Sequence, residues 1–124
     1  MSGVVLAIAE QRGGVWNRMS WETLTAAQQI AAATGGTVEA AVAGQATGPL
    51  ASELAQKKVA KVWNVEHHLL KDYTADGFTS AIEQLVRKVN PSLVLFPHTY
   101  QVRDFAPKLA TRFNQVLVSD VTGF

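Results

Sequence analysis

The sequence predicts a three-layer α/β domain with a parallel sheet of about five strands. Three observations point there. Apolar runs of strand length alternate with stretches whose apolar residues recur at helical spacing. The first apolar run, Val4 to Ala9, is continuous rather than alternating, as a parallel strand covered on both faces requires. The chain is 124 residues long, 48% hydrophobic and 17% charged, which suits one soluble domain with a real core.

The elements follow in order. Val4-Val5-Leu6-Ala7-Ile8-Ala9 is the first strand, and Glu10-Gln11-Arg12-Gly13-Gly14 is the loop after it. Ser20 is a natural N-cap for a first helix reaching Ala33. Its face is Trp21, Leu24, Ala27 or Ala31, and Ile30, and Gly35-Gly36 stops it. Val38 to Ala43 forms a second strand ending at Gly44. Thr47-Gly48-Pro49 then opens a short second helix, with Pro49 near the first position, where its missing N–H costs nothing. Lys61 to Val65 alternates as a third strand. Asp76 or Thr74 caps a third helix with the face Phe78, Ile82, Leu85, Val86 and Val89, ended by Asn90-Pro91. Ser92 to Phe96 is the fourth strand. The fourth helix carries Phe105, Leu109 and Phe113 on one face, with Pro107 expected in its first turn. Val116-Leu117-Val118 begins a fifth strand.

Right-handed crossovers between such strands give a Rossmann-like sheet, and the expected order of its five strands is 3-2-1-4-5. Ligands of open α/β sheets bind beyond the carboxyl ends of strands where the order reverses, here between the first and fourth. The candidate segments are therefore Gln11 to Trp16 and Pro97 to Asp104. Within them Arg12, Gly13, Gly14, Thr99, Arg103 and Asp104 are the candidate ligand contacts. Gly13-Gly14 allows close backbone approach, and Arg12 or Arg103 can pair with an anion. The plainer reading makes Gly13-Gly14 a turn and Arg103-Asp104 a solvated helix start. No G-x-G-x-x-G or Walker A sequence is present, and Pro97 to Asp104 contains no glycine, so no complete nucleotide site is encoded.

Composition excludes several chemistries. The absence of cysteine removes disulfides, thiolate nucleophiles and cysteine-ligated metal. A formal net charge of +1 without a basic block leaves nucleic acid no electrostatic footprint. His67 and His68, adjacent in an extended segment, are expected to point to opposite sides, so no metal site is expected there or at His98. Ser119-Asp120 with a histidine lacks the G-x-S-x-G elbow of a hydrolase. The apolar runs fall short of the ~18 residues of a spanning helix, and Met-Ser-Gly has no signal-peptide character, so a cytoplasmic (or mitochondrial-matrix) place and no membrane insertion are expected. Trp63 is expected in the core. Trp16, after Gly-Gly, is either an interface anchor or simple helix packing.

Three ordered segments carry a family resemblance. They are Val4-Leu6-Ile8-Ala9-Glu10 with Arg12-Gly13-Gly14, then Asn90-Pro91 to Phe96 with Thr99 and Arg103-Asp104-Phe105-Ala106-Pro107-Lys108-Leu109-Ala110, then Val118-Ser119-Asp120-Val121-Thr122. Together they resemble the amino-terminal domain of electron transfer flavoprotein alpha subunits. Tyr100-Gln101-Val102 and His98 depart from the small residues and glycine usual there.

The resemblance implies an adenine nucleotide alpha hydrolase-like fold and a heterodimeric electron carrier with FAD. Such a carrier takes electrons from flavin dehydrogenases, such as acyl-CoA dehydrogenases, and passes them toward the respiratory chain. It also implies that FAD is held mainly by a carboxyl-terminal domain beyond Phe124. Residues 1–124 then form a single domain cut from a longer chain, with no catalytic site of its own and no flavin expected on it alone. The beta subunit is the implied partner, with Trp16, Val118, Val121 and Phe124 as interface candidates. The alternatives are a small nucleotide-binding protein of the universal-stress-protein type and a hydrolase or adenylating enzyme. The first calls for a glycine-spaced loop after the fourth strand, and the second for a nucleophile–base pair.

Overall fold

The computed structural model describes residues 3–111 throughout and, of residues 117–121, the backbone. Strands β1 (Val4–Ala9), β4 (Thr37–Gly44), β5 (Lys61–Glu66), β6 (Leu93–Pro97) and β7 (Leu117–Val121) form one sheet ordered β5-β4-β1-β6-β7. All four pairings are parallel, with Val4 opposite Thr37, Val5 opposite Leu93 and Leu93 opposite Leu117. In terms of the five expected strands this is the order 3-2-1-4-5. The expected architecture is therefore the observed one. A two-stranded hairpin, β2 (Gln11–Arg12) and β3 (Val15–Trp16), is added after β1.

Helices α1 (Met19–Thr34) and α2 (Gly48–Ala55) cover one face of the sheet, and α3 (Ala75–Val89) and α4 (Tyr100–Ala110) cover the other. The first layer is built from small residues. Ala26, Ala27 and Ala31 of α1 meet Val5, Ala7 and Ala9, so this helix lies close to the sheet. The second layer is aromatic, with Phe105 in contact with both Phe78 and Phe96, and Leu109 fully buried. Alternation along β1 sends Leu6 and Ile8 to this layer and its odd-numbered residues to the other.

Several local expectations need correction. Ser20 does not cap α1. The helix begins one residue earlier, Asn17 Oδ1 accepts the Met19 amide at 2.9 Å, and Ser20 is buried against the end of β1. Pro107 is not in the first turn of α4 but inside the helix, because Thr99 caps it well upstream by accepting the Val102 amide. The helix tolerates the proline with its ring in solvent. The segment after β1 is a hairpin rather than an open loop. Gly13 (φ 60°) and Gly14 (φ 85°) take the left-handed conformations that a two-residue turn of the primed type demands.

The ends of the remaining helices follow the sequence. Thr74 rather than Asp76 caps α3, and Gly35 and Asn90 close α1 and α3 in the left-handed region. Trp63 sits on the edge strand β5, only half buried. Its indole N–H donates to Glu39 at 2.7 Å, and the ammonium groups of Lys61 and Lys88 lie over its ring. Phe113 lies outside the described residues.

Candidate functional site at the sheet crest

The carboxyl ends of the parallel strands form the crest of the sheet, and the order reverses there between β1 and β6. A cleft of about 540 Å³ opens at this point. Its floor comes from the residues directly after β1 and β6, and one wall from the β2–β3 hairpin. The other wall is the first turn of α4. This is where the topology alone places a ligand.

Glu10 is the first residue past β1, and the side chains around it are arranged on it. The Thr99 hydroxyl donates to Glu10 Oε1 at 2.7 Å, while Asn17 Nδ2 reaches Oε2 only at 3.4 Å. The Glu10 backbone is clamped as well. Its N–H donates to Ser20 Oγ at 2.8 Å, and its carbonyl accepts from Ser20 Oγ at 3.1 Å and the Asn17 amide at 2.9 Å. Gln11 crosses to the other side of β1. Its amide donates to Ala43 O at 3.1 Å, and its carbonyl oxygen accepts the Gly14 amide at 2.9 Å, which ties the hairpin to the end of β4.

Aromatic groups finish the cleft. Trp16 packs edge-on against Trp21 with centroids 5.4 Å apart, and its indole N–H is buried without a partner among the described residues. Tyr100 is 88% exposed and Val15 70%, and both line the cleft. A water-exposed tyrosine and valine stand on either side of one opening, while the similarly exposed Leu69 lies away from it.

The candidate residues fall into four groups. Arg12 and Thr99 do meet in the cleft, while Gly13 and Gly14 serve as the turn of its wall. Arg103 borders a smaller adjoining recess of about 220 Å³ with His98, Thr99 and Tyr100. Asp104 turns away from the cleft to accept the Tyr73 hydroxyl at 2.7 Å, and Tyr73 also donates to Gln101 O at 3.3 Å. Burial first, and then the Asp104 carboxylate holding its proton, push the Tyr73 hydroxyl above its ordinary value.

Trp16 lines the cleft and packs on the core at once. Val118 and Val121 pair through their backbones with Val94 and Pro97, but their side chains, like those of Ser119 and Asp120, lie outside the described residues, as does Phe124. Glu10, the organising group, is missing from the sequence candidates. Its signal was its position, the first charged side chain past a fully buried strand at the switch point.

This crest does not fit the pyrophosphate of FAD. Phosphate binding at an α/β crest relies on free amides at a helix N-terminus and a glycine-lined approach. Here the Val102 amide is taken by Thr99 Oγ1 and the Arg103 amide by Thr99 O, and the Glu10 carboxylate stands on the capping hydroxyl itself. A second anion would be placed against the first. Metal chemistry finds no support either, since no group of three or more His, Asp or Glu converges among the described residues. His67 and His68, expected to diverge, instead stack with centroids 4.5 Å apart. A 3-10 turn (His68–Leu70) begins between them, and His67 Nδ1 caps it by accepting the Leu69 amide. No described helix is long and apolar enough to cross a membrane.

Comparison with known proteins agrees with this architecture. The sequence model of the electron transfer flavoprotein domain family matches residues 5–124. The electron transfer flavoprotein subunit alpha of Bacillus subtilis is 32% identical over 120 residues, covering 97% of this chain and 36% of the relative. That of Thermoanaerobacterium thermosaccharolyticum is 33% identical over 115 residues, covering 93% and 35%. A subunit of the lactate dehydrogenase (NAD(+),ferredoxin) of Acetobacterium woodii is 30% identical over 104 residues, covering 84% and 25%. The chain thus spans about a third of the length of the first two relatives.

Proposed function

Since this chain belongs to the electron transfer flavoprotein family, we propose that it is the amino-terminal, flavin-free domain of an alpha-type subunit. In this reading it acts as a structural and partner-binding unit of a heterodimeric electron carrier. The assembled carrier holds FAD elsewhere, takes electrons from flavin dehydrogenases such as acyl-CoA dehydrogenases, and delivers them toward the respiratory chain. The domain contributes no catalytic group.

One observation carries the reading. The family match runs through nearly the whole chain, yet the crest where a nucleotide would bind is organised around the carboxylate of Glu10. That combination supports a domain kept for assembly. The exposed Val15 and Tyr100 beside Trp16 supply an apolar surface on which an aromatic-anchored interface can form.

The test is association with a beta subunit of the family. Light scattering on the domain alone and mixed with that subunit is expected to reveal a one-to-one complex. The domain, incubated with FAD and desalted, is expected to leave colourless. A domain that ignores the beta subunit, or one that retains stoichiometric flavin, defeats the proposal.

A further inference from the structure

Glu10 poses a problem that the assembly role does not solve. It is a partly buried carboxylate at the floor of a cleft, and among the described residues it has no cationic partner. Oε1 is satisfied by the Thr99 hydroxyl, but among the described residues Oε2 has only the long 3.4 Å contact from Asn17. A partly desolvated carboxylate oxygen with spare acceptor capacity favours a donor that brings charge. The walls above it are aromatic, with the exposed Tyr100 on one side and the half-buried Trp16 on the other, and Val15 at the rim. Carboxylate below and aromatic faces beside is the chemistry that receives a guanidinium, which stacks its plane on rings and aims paired N–H groups at an oxygen acceptor.

We propose that the switch-point cleft is a docking site for an arginine side chain of a partner protein, with Glu10 as its anion and Tyr100 and Trp16 as its stacking walls. The negative floor selects against the phosphates that bind at this position in nucleotide-holding relatives of the fold. Arg12, also on the hairpin, is exposed to solvent, where screening keeps its repulsion of an incoming cation small. The cleft volume of about 540 Å³ leaves room for the side chain together with flanking partner residues. This assignment rests on the cleft's own chemistry and stands whether or not the partner is a flavoprotein subunit.

The test uses the 124-residue chain and small probes, followed through the Trp16 indole N–H and Tyr100 backbone resonances. Arginine amide is expected to shift both saturably, in the millimolar range typical of a single side chain. Citrulline amide, its neutral isostere, and AMP or inorganic phosphate are expected to leave them in place. Glu10→Gln keeps an acceptor for Thr99, and so the α4 cap, yet is expected to weaken arginine amide at least about tenfold. Tyr100→Ala, at a position outside the core, is expected to weaken it several-fold with the dispersion of the spectrum unchanged. Equal binding of citrulline amide, indifference to Glu10→Gln, absence of any arginine shift, or saturable binding of AMP or phosphate overturns the proposal. None of these readouts involves the beta subunit or flavin, so failure here and failure of the assembly reading are separable.

Discussion

At the base of the sheet, where the strands begin, main chain is stitched to main chain. The Gly36 amide bonds Ala31 O, the Thr37 amide bonds Gly3 O at 3.0 Å, and the Ser92 amide bonds Val4 O at 2.9 Å. At the crest a main-chain bond remains, from the His67 amide to Gly44 O, and the end of β1 is joined to its neighbours through side chains instead. Glu10 links β1 to the α4 cap, Gln11 links it to β4, and Ser20 fastens the Glu10 backbone to α1. Backbone contacts leave no room and little choice of residue. Side-chain bridges leave a cleft, and they can be retuned by substitution without moving the strands. The contrast explains how one parallel architecture keeps a fixed base while its crest takes up different partners.

The largest effect should come from the base. A Cβ on Gly36 would stand 2.2 Å from the Gly3 carbonyl oxygen and 3.3 Å from its carbon, both backbone atoms. No rotamer relieves that contact, so Gly36→Ala should force the start of β1 away from β4. A loss of about 3 kcal/mol is expected, at the upper end of the overpacking range. Urea unfolding followed by far-UV circular dichroism gives the number. A loss below 1 kcal/mol would mean that the base is as adaptable as the crest.

Next is Ser20→Ala, which removes one hydroxyl making two bonds to the Glu10 backbone, at 2.8 and 3.1 Å, from a residue only 1% exposed. The Glu10 amide is then left without that acceptor, at a cost of about 2 kcal/mol. The same variant should speed hydrogen exchange of the Glu10 amide while leaving the Thr37 amide at the base protected. Equal acceleration at both would erase the distinction between the two ends.

The base was legible in the sequence and the crest only in outline. Gly35-Gly36 reads as a helix stop because a left-handed C-cap favours glycine, and Gly35 adopts φ 73°. The strand order followed from alternation and handedness, which are local or chiral rules. Glu10 escaped, and the parts that Ser20 and Thr99 play beside it were not foreseen, because these roles depend on residues far away in sequence, such as Thr99 on Glu10 across 89 positions. A serine near a helix start looks like a cap whether it caps or not. Here Asn17 took that work, and Ser20 was free to brace the strand. The position of the cleft was predictable from topology, while its carboxylate floor was not. Its signs are the electrostatics of a particular fold, and no motif announces them.

A gentler probe of the crest is Gly44→Ala. The added Cβ would stand 2.3 Å from Gln11 Nε2, the end of a side chain that can move, and 2.9 Å from the methyl of the buried Thr47, and it would sit on a backbone whose φ of 158° favours glycine. Gln11 should swing off Ala43 O, and the lost hydrogen bond together with the backbone strain of a non-glycine residue at φ 158° should cost about 2 kcal/mol. The hairpin, tied down through the same side chain, should loosen. Faster exchange of the Gly14 amide is the expected signature. An unchanged exchange rate at the Gly14 amide would show that the hairpin does not depend on the Gln11 tie, contrary to the comparison.

The smallest effect is a slope rather than a loss at neutral pH. Tyr73 joins the segment before α3 to α4 near the crest, donating to Asp104 and to Gln101 O. Burial and the Asp104 carboxylate raise its pKa above the ordinary 10.0 in the folded protein. Its contribution to stability is therefore present below pH 10. Above that pH the unfolded chain releases the phenolic proton while the folded one keeps it, so stability falls as pH rises toward the folded value. Denaturant midpoints measured from pH 8 to 11 should decline more steeply in the wild type than in Tyr73→Phe, which has no proton to lose at this position. The variant should lose about 1 kcal/mol at neutral pH, from the missing hydrogen bonds. It should then converge on the wild type as the solution becomes alkaline. Ultraviolet titration near the tyrosinate band separates the two phenols. Tyr100, 88% exposed, has its ring open to solvent, and the Tyr73 signal is identified by its absence from the variant. Parallel alkaline slopes would mean that the tie between α3 and α4 does not depend on the phenolic proton, and that packing of Tyr73 against Phe78, at 5.2 Å between centroids, carries it instead.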